Sequence, residues 1–470
     1  MPELKENDRI QDDQGNLYTL NKRIGRGGQG VVWSVKEGPL AVKICSSSGI
    51  GREELRRRLQ ALKILDLENL PISAPLTVLK APLTGYVMHF VRGLQSLQLL
   101  LRPPAQVSPS LWYKETGGLR WRLRILSAVA EVLARLHGKG LAYGDPSPAN
   151  LLVPEKPCAE PNVFLIDSDN IRSNSQGDHR FLYTPGYGAP EVIAGSHGVS
   201  TLSDAHGFAV IAYQVLTLNH PFIGDSVHDA EPEEEELAFA GEKPWIEHSR
   251  DTSNRSTRGI ASEKVLSGNL KELFARAFED GLHDAVKRPG LGAWAEALLQ
   301  ASDAVVDCQK CDSGFYFKAV KCPWPRCGAD PPVKRMALIH IWDPEMDPDP
   351  SGRHFLTSAD PKTGAKKARI IHGVAMQAEK TILFRRRHFF SDVSEEPDAP
   401  VCRVMLTKRG AEIRNLSAFP LYARSFSKGE KPREKVASPD GEITIPADGK
   451  EPLWYLHADS HAQLHRAVRF

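Results

Sequence analysis

Three glycines near the start of the chain have a spacing that suits phosphate binding. Residues 25–32 read GRGGQGVV, so Gly25, Gly27 and Gly30 would let the backbone approach phosphate oxygens and present N–H groups to them. A dinucleotide-binding fold would need a helix directly after these glycines, whereas the β-forming run VVWSV follows them. The segment therefore favours a hairpin lid over phosphates. A glycine-rich hairpin without a ligand is the alternative for this segment alone.

One lysine stands inside an apolar run. Residues 40–44 read LAVKI, and burying the charge of Lys43 there is costly unless that charge is paired. Phosphate oxygens or a nearby carboxylate would pair with it. A lysine on an edge strand that points to solvent is the alternative when this residue is read alone.

Two aspartates and an asparagine have the chemistry for proton transfer and magnesium binding. Asp145 and Asn150 stand five residues apart in YGDPSPANLL, and Asp167 ends the apolar run VFLID. Asp145 would accept the proton of a substrate hydroxyl or orient that hydroxyl. The amide oxygen of Asn150 and the carboxylate of Asp167 would bind Mg²⁺ that bridges the phosphates. Read alone, Asp167 fits a solvated turn as well.

Four cysteines have metal-ligand spacing. Cys308, Cys311, Cys322 and Cys327 form C-x₂-C and C-x₄-C pairs with ten residues between the pairs. Four thiolates suit tetrahedral zinc and would fill every position, so the site would be closed and structural. Zinc would contribute about 10–16 kcal/mol to a segment too short for its own core. A redox C-x-x-C site would need a βαβ context, which this segment lacks.

The surrounding pattern places the phosphate-handling residues in a small β-rich lobe followed by a larger helical lobe. Short β runs broken by glycine fill residues 18–44, and residues 86–91 read as a buried strand. Apolar residues recur at helical spacing over 52–67 and 119–136. An acidic and then polar stretch, 225–262, predicts an exposed insert.

Short β-like runs after the cysteines predict a small all-β domain. These runs are residues 336–342, 381–384, 401–406 and 441–445. The run RRRHF at 385–389 reads as a basic recognition patch or as a solvated strand end. Segments 412–417 and 439–445 are similar to forkhead-associated β-sandwiches, without identifiable phosphothreonine-binding residues. We therefore expect this part of the chain to recruit partners and not to catalyse.

Composition and charge argue against several classes of protein. The 470 residues are 41% hydrophobic and 25% charged, which predicts two or three soluble domains. The net charge of +2 gives no overall field that favours nucleic acid. The first residues lack an apolar signal region, and the longest apolar run, 207–218, is too short to span a bilayer. We expect a cytoplasmic protein without nucleic-acid or membrane partners.

The order and spacing of the motifs resemble the eukaryotic-like protein kinase superfamily. The segment TPGYGAPE at 184–191, then Asp204 and Arg288, completes the match. The resemblance implies an α+β, bilobal kinase fold with ATP and Mg²⁺ as cofactors, and transfer of the γ-phosphate to Ser or Thr of a protein. The expected domains are a kinase domain at 12–302 (N-lobe 12–90, C-lobe 91–302), a zinc ribbon at 303–332 and a sandwich-like β domain at 333–470.

The resemblance also implies roles for single residues. Lys43, Asp145, Asn150 and Asp167 match the ATP lysine, the catalytic aspartate and the two magnesium ligands. The residues expected to bind nucleotide are Gly25, Gly27, Gly30, Val32, Ala41, Lys43, Met88, His89, Val91, Asn150 and Asp167, with Met88 as gatekeeper and 89–91 as hinge.

Four further residues of the match would support the site. Thr184 would buttress the catalytic aspartate, as in Ser/Thr kinases, and Asp204 would hold the catalytic-loop backbone. Glu191 and Arg288 would form a buried ion pair.

Several positions depart from the family pattern. Gly144 replaces the arginine before the catalytic aspartate, which implies that phosphorylation of the activation loop is not required. Ser147 replaces a lysine that contacts the γ-phosphate, and Ser168-Asp169 replaces the Phe-Gly of D-F-G, which puts the usual phenylalanine flip in doubt. The helix partner of Lys43 is Glu54 or Glu53.

A narrower resemblance is to a bacterial kinase subfamily. It rests on GYVM at 85–88, GDPSPAN at 144–150, IDSDN at 166–170 and HPFIG at 220–224. That subfamily implies a von Willebrand factor A-like protein and a metal-dependent Ser/Thr phosphatase as partners. A nucleotide-binding pseudokinase scaffold, which uses the ribbon and the β domain for assembly, is the alternative function.

Overall fold

The computed structural model divides the chain into two compact units, Met1–Leu299 and Gln300–Phe470. The residues that it describes are 4–27, 30–46, 51–158, 160–173, 183–349, 351–359, 366–390, 398–447, 449–450, 452–458 and 463–470. The cysteine cluster and the β-rich region both lie in the second unit.

The first unit begins with an antiparallel sheet that carries the glycine segment and Lys43. Its elements are β1 (Arg9–Gln11), β2 (Leu17–Gly27), β3 (Gly30–Val35), β4 (Leu40–Cys45), α1 (Arg52–Leu62), β5 (Thr77–Val78) and β6 (Gly85–His89). The strands follow the order β1-β2-β3-β4-β6-β5. Leu20, Val42 and Val87 are buried in the core on one face. The predicted helix 52–67 exists but ends at Leu62, where Lys63 caps it.

A mainly helical region follows, as the sequence predicts. Its strands are β7 (Leu94–Ser96), β8 (Leu141–Ala142), β9 (Leu151–Pro154), β10 (Phe164–Leu165) and β11 (Arg172–Ser173). Its helices are α2 (Pro109–Glu115), α3 (Gly118–Gly138), α4 (Pro190–Ile193), α5 (Thr201–Thr217), α6 (Asp225–His228), α7 (Pro232–Phe239), α8 (Ser262–Val265), α9 (Gly268–Ala275) and α10 (Leu291–Asp303), with a π-helical turn at Arg276–Asp280. The buried helix α5 packs against α3, and a Ser200–Ser203 capping box begins it.

The prediction of an exposed insert at 225–262 is wrong for its second part. Most of the acidic run in α7 is exposed, but Trp245 is only 3% exposed and its indole N–H donates to Glu279 at 2.9 Å. Asn254 is also buried, and its side chain bonds the amide of Gly224 and the carbonyl oxygens of Phe222 and Pro244. A polar sequence hides this core because one asparagine satisfies three backbone groups.

The second unit starts with a short hairpin and continues as two facing sheets. Its strands are β12 (Val305–Asp307), β13 (Gly314–Tyr316), β14 (Lys334–Trp342), β15 (Thr357–Ala359), β16 (Lys366–Ala368), β17 (Ile370–Gln377), β18 (Thr381–Arg385), β19 (Pro400–Thr407), β20 (Gly410–Asn415), β21 (Leu421–Phe426), β22 (Glu434–Ala437), β23 (Glu442–Ile445), β24 (Leu453–His457) and β25 (His465–Arg469). One sheet has the order β17-β14-β25-β24-β21-β22 and the other β18-β19-β20-β23. Residues of both sheets, such as Ile339 and Val404, share one apolar core. Three of the four predicted β runs lie within β14, β18 and β19, and the fourth, 441–445, begins one residue before β23.

The arginine run after β18 is neither a recognition patch nor a solvated strand end. Arg385 is 3% exposed and donates to the carbonyl oxygen of Asp398 at 2.6 Å. Arg387 donates to Asp303 at 3.0 Å. The guanidinium of Arg386 stacks on the ring of Phe390. The three arginine side chains therefore make contacts within the protein.

Asp303 lies at the centre of a buried polar network. The Nε2 atoms of His372 and His388 lie 2.9 and 3.1 Å from its Oδ2. The amide of Arg385 donates to Nδ1 of His388, so Nε2 of that ring carries the proton and points at Asp303. A proton on Nε2 of His388 disfavours binding of a metal ion by Asp303, His372 and His388. Burial raises the pKa of Asp303, but Arg387 and the two histidines lower it by more. The net result is a pKa well below the usual value.

We expect Asp303→Asn to lower the free energy of unfolding of the second unit by about 3–5 kcal/mol. Removing the carboxylate takes away one of the two carboxylate partners of the largely buried Arg387, the other being Asp398, and also the partner of both histidines. Denaturant unfolding followed by tryptophan fluorescence measures the loss. Glu442→Gln, which breaks the exposed pair with Arg414, is the control and should change the value by less than about 1 kcal/mol. Equal effects of the two variants would contradict the proposed network.

Acid should act on the same network. The pKa of Asp303 is lower in the folded state than in the unfolded state, so its contribution is present above about pH 4 and is lost as the pH falls through the folded value. Burial also lowers the pKa of His388 to about 3, so stability falls as the pH drops from about 6.5 towards 3. Unfolding curves between pH 7 and pH 4 would show the histidine contribution first.

No helix in the described part of the chain is both long and apolar enough to span a membrane.

Candidate active site

Lys43 is positioned by the centre of the first sheet. Its strand β4 pairs with β3 and β6, which places Lys43 opposite Val32 on one side and Tyr86 on the other. The residue is 4% exposed, and its ammonium forms an ion pair with Asp167 and bonds to both oxygens of Asp169 at 2.7 and 2.9 Å. Burial lowers the pKa of Lys43, but Asp169 and then Asp167 raise it more, so the group stays charged.

The two glutamates considered as helix partners are placed differently. Glu54 pairs with Arg57 at 3.0 Å and with Arg58 at 3.1 Å along α1. Glu53 is exposed to solvent. The buried side chains of α1 are leucines, which turn the acidic side of its first turn away from the core. Of the two glutamates that the sequence left open, Glu54 thus bonds arginines of its own helix, and Glu53 lies in solvent.

Asp145 lies in the loop after β8, beside a 3₁₀ turn at Pro148–Asn150. Its Oδ1 accepts the amide of Thr184 at 2.8 Å, and its Oδ2 accepts the Thr184 hydroxyl at 3.0 Å. The amide nitrogen of Asn150 donates to the carbonyl and to Oδ2 of Asp145 at 3.1 and 3.3 Å. Burial raises the pKa of Asp145, while the Thr184 hydrogen bonds act in the opposite direction.

Asp204 holds the backbone of this loop through hydrogen bonds, as the resemblance implies. The fully buried carboxylate of Asp204 accepts the amides of Tyr143 at 2.6 Å and Gly144 at 2.9 Å, and His137 Nε2 lies 3.0 Å from it. The hydroxyl of Tyr143 donates to the carbonyl of Ile166, the residue before Asp167. Tyr143 thus links the loop that bears Asp145 to the segment that bears Asp167. Sequence reasoning missed it, because its signal is only an aromatic residue in a short apolar run.

Asn150 and Asp167 fit a magnesium ion. The Asn150 amide nitrogen is used by Asp145, which leaves its oxygen as the metal ligand atom. Asp167 adopts a left-handed backbone conformation, with φ 67° and ψ 43°, directly before a 3₁₀ turn at Ser168–Asn170. Burial and Asp169 raise the pKa of Asp167, whereas Lys43 lowers it. A cation beside two carboxylates would relieve that repulsion.

The glycine segment and the expected adenine pocket lie on the same sheet. Gly27 pairs with Gly30 at the tip of β2 and β3. Gly30 has φ 153°, and a Cβ there would lie 2.2 Å from the carbonyl oxygen of Ile44, so only glycine fits. The backbone of Met88 pairs with that of Ala41, and both residues are buried. The hinge residues follow, with His89 exposed and Val91 half-buried.

The departures from the kinase pattern are built into the backbone. Gly144 has φ 93°, and a Cβ there would lie 2.7 Å from the carbonyl oxygen of Asn170, so an arginine does not fit this conformation. The Ser168 hydroxyl donates to the carbonyl of Ser73 at 2.5 Å in place of phenylalanine packing. Ser147 is 1% exposed. Ser173 and Ser175 are loop serines whose phosphorylation we do not expect to be required for activity; Ser173 lies in β11, and Ser175 falls outside the described residues.

Glu191 and Arg288 form the expected ion pair. Both Arg288 terminal nitrogens bond the Glu191 carboxylate at 2.7 Å, in a two-point contact. Arg288 is 4% exposed and also donates to the carbonyl oxygens of Gly281, Leu202 and Leu282. The pair ties the segment that bears Thr184 to the end of the first unit.

The four clustered cysteines come together in the second unit. Their sulfurs all lie within 4.8 Å of one another, with Cys308–Cys327 and Cys311–Cys322 at 3.6 Å. Tetrahedral zinc with sulfur ligands at about 2.3 Å would separate the sulfurs by about 3.8 Å. Distances of 3.6 Å are far longer than a disulfide bond. The donor set therefore fits a zinc ion.

The chain is similar to bacterial serine/threonine-protein kinases over the part that carries this site. PkaA of Streptomyces coelicolor is 25% identical over 236 residues, which are 45% of this chain and 41% of that protein. PknA of Corynebacterium glutamicum is 25% identical over 232 residues, 47% of each chain. PknA of Mycobacterium tuberculosis is 26% identical over 220 residues, 44% of this chain and 48% of that protein. This chain thus spans less than half the length of each of these three relatives.

The family itself is shown by a longer match. Residues 18–279, more than half of the 470 residues, match the protein kinase domain family. The match contains the glycine segment, Lys43, Asp145, Asn150 and Asp167. The chain belongs to the protein kinase domain family.

Proposed function

We propose that this chain is a Ser/Thr protein kinase that transfers the γ-phosphate of ATP to a protein hydroxyl. The observation that carries the proposal is the geometry of Asp145. Its carboxylate is fixed by the amide and the hydroxyl of Thr184 and stands beside the Asn150 amide. The similarity to relatives named serine/threonine-protein kinases supports the choice of acceptor.

ATP would lie between the glycine segment and the loop of Asp145. Lys43 would hold the α- and β-phosphates with its ammonium, and residues 89–91 would bond adenine through the backbone. The Asn150 oxygen and the Asp167 carboxylate would hold Mg²⁺, which would supply positive charge to neutralise the charge that develops on the phosphates. Asp145 would orient the acceptor hydroxyl and take its proton.

An open groove that reaches Thr184, whose hydroxyl bonds Asp145, would take the protein substrate. Its volume is about 610 Å³, and it runs from the catalytic loop at Ser147 and Ala149 to Thr184, Pro185 and Tyr187. The Tyr187 hydroxyl donates to Gln214 at 2.7 Å, which anchors this wall on α5. An extended peptide in the groove would bring its hydroxyl to Asp145. Gly144 offers no guanidinium for a phosphorylated loop, so we propose that the kinase needs no activating phosphorylation.

Phosphotransfer from radiolabelled ATP to a generic basic protein tests this function. We expect Asp145→Asn to lower kcat by about 10²–10⁴-fold, because the residue that takes the hydroxyl proton is lost. Asp66→Asn, which breaks an exposed pair with Lys139, is the matched control and should leave kcat unchanged. A wild-type chain that binds ATP but transfers no phosphate would be a pseudokinase scaffold, and the kinase proposal would be wrong.

The hydrogen bonds of Thr184 give a second prediction. Thr184→Val should lower kcat about tenfold or more, since the Asp145 carboxylate loses a hydroxyl that holds it in place. Thr184→Ser keeps that hydroxyl and should retain most of the activity. If valine and serine behave alike at saturating ATP, the hydroxyl does not position Asp145.

We also propose a structural zinc ion in the second unit, held by Cys308, Cys311, Cys322 and Cys327. The hairpin β12–β13 supplies the first pair of thiolates, and the ammonium of Lys334 bonds the carbonyl of Ala319 at 3.1 Å from the adjoining sheet. With all four ligands from protein, the site has no open position for a substrate. The second unit would therefore recruit partners and not catalyse, and the resemblance to the bacterial subfamily implies a von Willebrand factor A-like protein and a metal-dependent phosphatase among them.

Elemental analysis tests the zinc proposal. We expect about one zinc per chain in the wild type and much less in Cys322→Ser, with faster hydrogen exchange around β12 and β13. Cys158→Ser removes an exposed cysteine outside the cluster and should keep the metal. Metal-free wild-type protein with slow exchange in this hairpin would contradict the proposal.

A further inference from the structure

The ammonium of Lys43 needs a permanent anionic partner. Its side chain is 5% exposed, so it cannot rely on water to stabilise the charge. Asp167 and Asp169 both contact it in this structure. The inference below rests on the proposed function, in which the oxygens of Asp167 are also needed for Mg²⁺.

Asp167 therefore cannot serve both cations equally. A divalent ion attracts a carboxylate more strongly than an ammonium does, because the Coulomb energy scales with charge. When Mg²⁺ and nucleotide bind, the Asp167 carboxylate would turn to the metal. Lys43 would then keep only those partners that are not metal ligands.

Asp169 is built to remain with Lys43. It contacts the ammonium through both oxygens, at 2.7 and 2.9 Å, and its side chain is 10% exposed. The hydroxyl of Tyr86, which lies opposite Lys43 on β6, is 3.4 Å from Oδ1 of Asp169. The sheet thus presents Lys43 and Tyr86 together to one carboxylate.

The turn that bears Asp169 is anchored on both sides. The Ser168 hydroxyl donates to the carbonyl of Ser73 at 2.5 Å, and the amide of Ile171 closes the 3₁₀ turn on the Ser168 carbonyl at 2.9 Å. The amide of Ser73 donates to the Leu165 carbonyl at 2.8 Å. These hydrogen bonds do not involve α1, which packs against the same turn and whose Glu54 is engaged with Arg57 and Arg58.

We propose that Asp169, and not a glutamate of α1, is the positioning residue that holds Lys43 for the nucleotide phosphates. The carboxylate stands at a position where the family pattern has glycine, and it takes over a task that the pattern gives to the following helix. Lys43 would then be placed by the Ser168–Asn170 turn and not by an ion pair with α1.

Labelling by an adenosine acyl-phosphate probe tests the proposal in the full-length chain. The probe acylates a lysine that lies at the nucleotide phosphates, so mass spectrometry of the Lys43 peptide reports where the ammonium stands, without any phosphotransfer. We expect Asp169→Gly, which installs the residue of the family pattern, and Asp169→Asn to slow Lys43 labelling about tenfold or more. Asp169→Glu should restore part of the rate.

The matched arm is Glu54→Gln, measured in the same way. It removes the acidic group of α1 and should change Lys43 labelling and the KM for ATP by less than about twofold. Rapid labelling in Asp169→Gly together with slow labelling in Glu54→Gln would overturn the proposal. Thermal unfolding of each variant identifies any that fail to fold. If Asp169→Gly and Asp169→Asn are among them, the labelling rates of Asp169→Glu and Glu54→Gln decide which carboxylate positions Lys43: slower labelling in Asp169→Glu than in Glu54→Gln supports Asp169, and the reverse order overturns the proposal.

The effect of Mg²⁺ on ADP binding distinguishes a positioning role of Asp169 from a role as a metal ligand. Binding of ADP, measured by calorimetry with Mg²⁺ and with EDTA, should be weakened by Asp169→Asn in both conditions if the residue acts through Lys43. A loss seen only with Mg²⁺ would make Asp169 a metal ligand and would overturn the positioning role. A wild type that labels and binds normally but transfers no phosphate would reject the kinase function and leave the role of Asp169 intact.

Discussion

The buried positive charge of Lys43 is the constraint on which the rest of the first unit depends. An ammonium in the middle of a sheet is tolerated only beside anions, so a carboxylate-bearing segment must pack under β4. That segment is 167–169, and it reaches the sheet because the backbone of residues 71–73 bonds β10. The sheet and the helical region are thus joined at the point where a nucleotide would bind.

A second buried charge organises the loop of Asp145. Asp204 lies at the start of α5 and accepts two consecutive backbone amides, which fixes the direction in which Asp145 leaves the loop. The negative charge near the N-terminus of a helix is itself stabilised by the helix dipole. Thr184 then holds the Asp145 carboxylate from the opposite side. The position of the Asp145 carboxylate is therefore set by a few specific contacts, in which backbone amides and the side chains of Asp204, Thr184 and Asn150 all take part.

Much of the site could be predicted from sequence because kinase chemistry needs particular residue types at short spacings. Glycines 25, 27 and 30 and the pair Asp145–Asn150 are local patterns, and the structure places them on the expected hairpin and loop. What could not be predicted depends on contacts between distant residues. Asp169, one of the two carboxylates that contact Lys43, is 126 residues away, and no spacing rule identifies it. The burial of Trp245 and the pairing of Arg387 with Asp303 have the same origin.

The departures at 144, 168 and 169 are one structural solution and not three independent losses. The Asn170 carbonyl occupies the space that a side chain at 144 would need, and the left-handed backbone there requires glycine. That carbonyl belongs to the same 3₁₀ turn that brings Asp169 to Lys43 and Ser168 to Ser73. An arginine at 144 would displace the turn, and a phenylalanine at 168 would not make the hydroxyl contact. The turn at 168–170 therefore accounts for all three departures, because it excludes a side chain at 144, uses the hydroxyl at 168 and brings the carboxylate at 169 to Lys43.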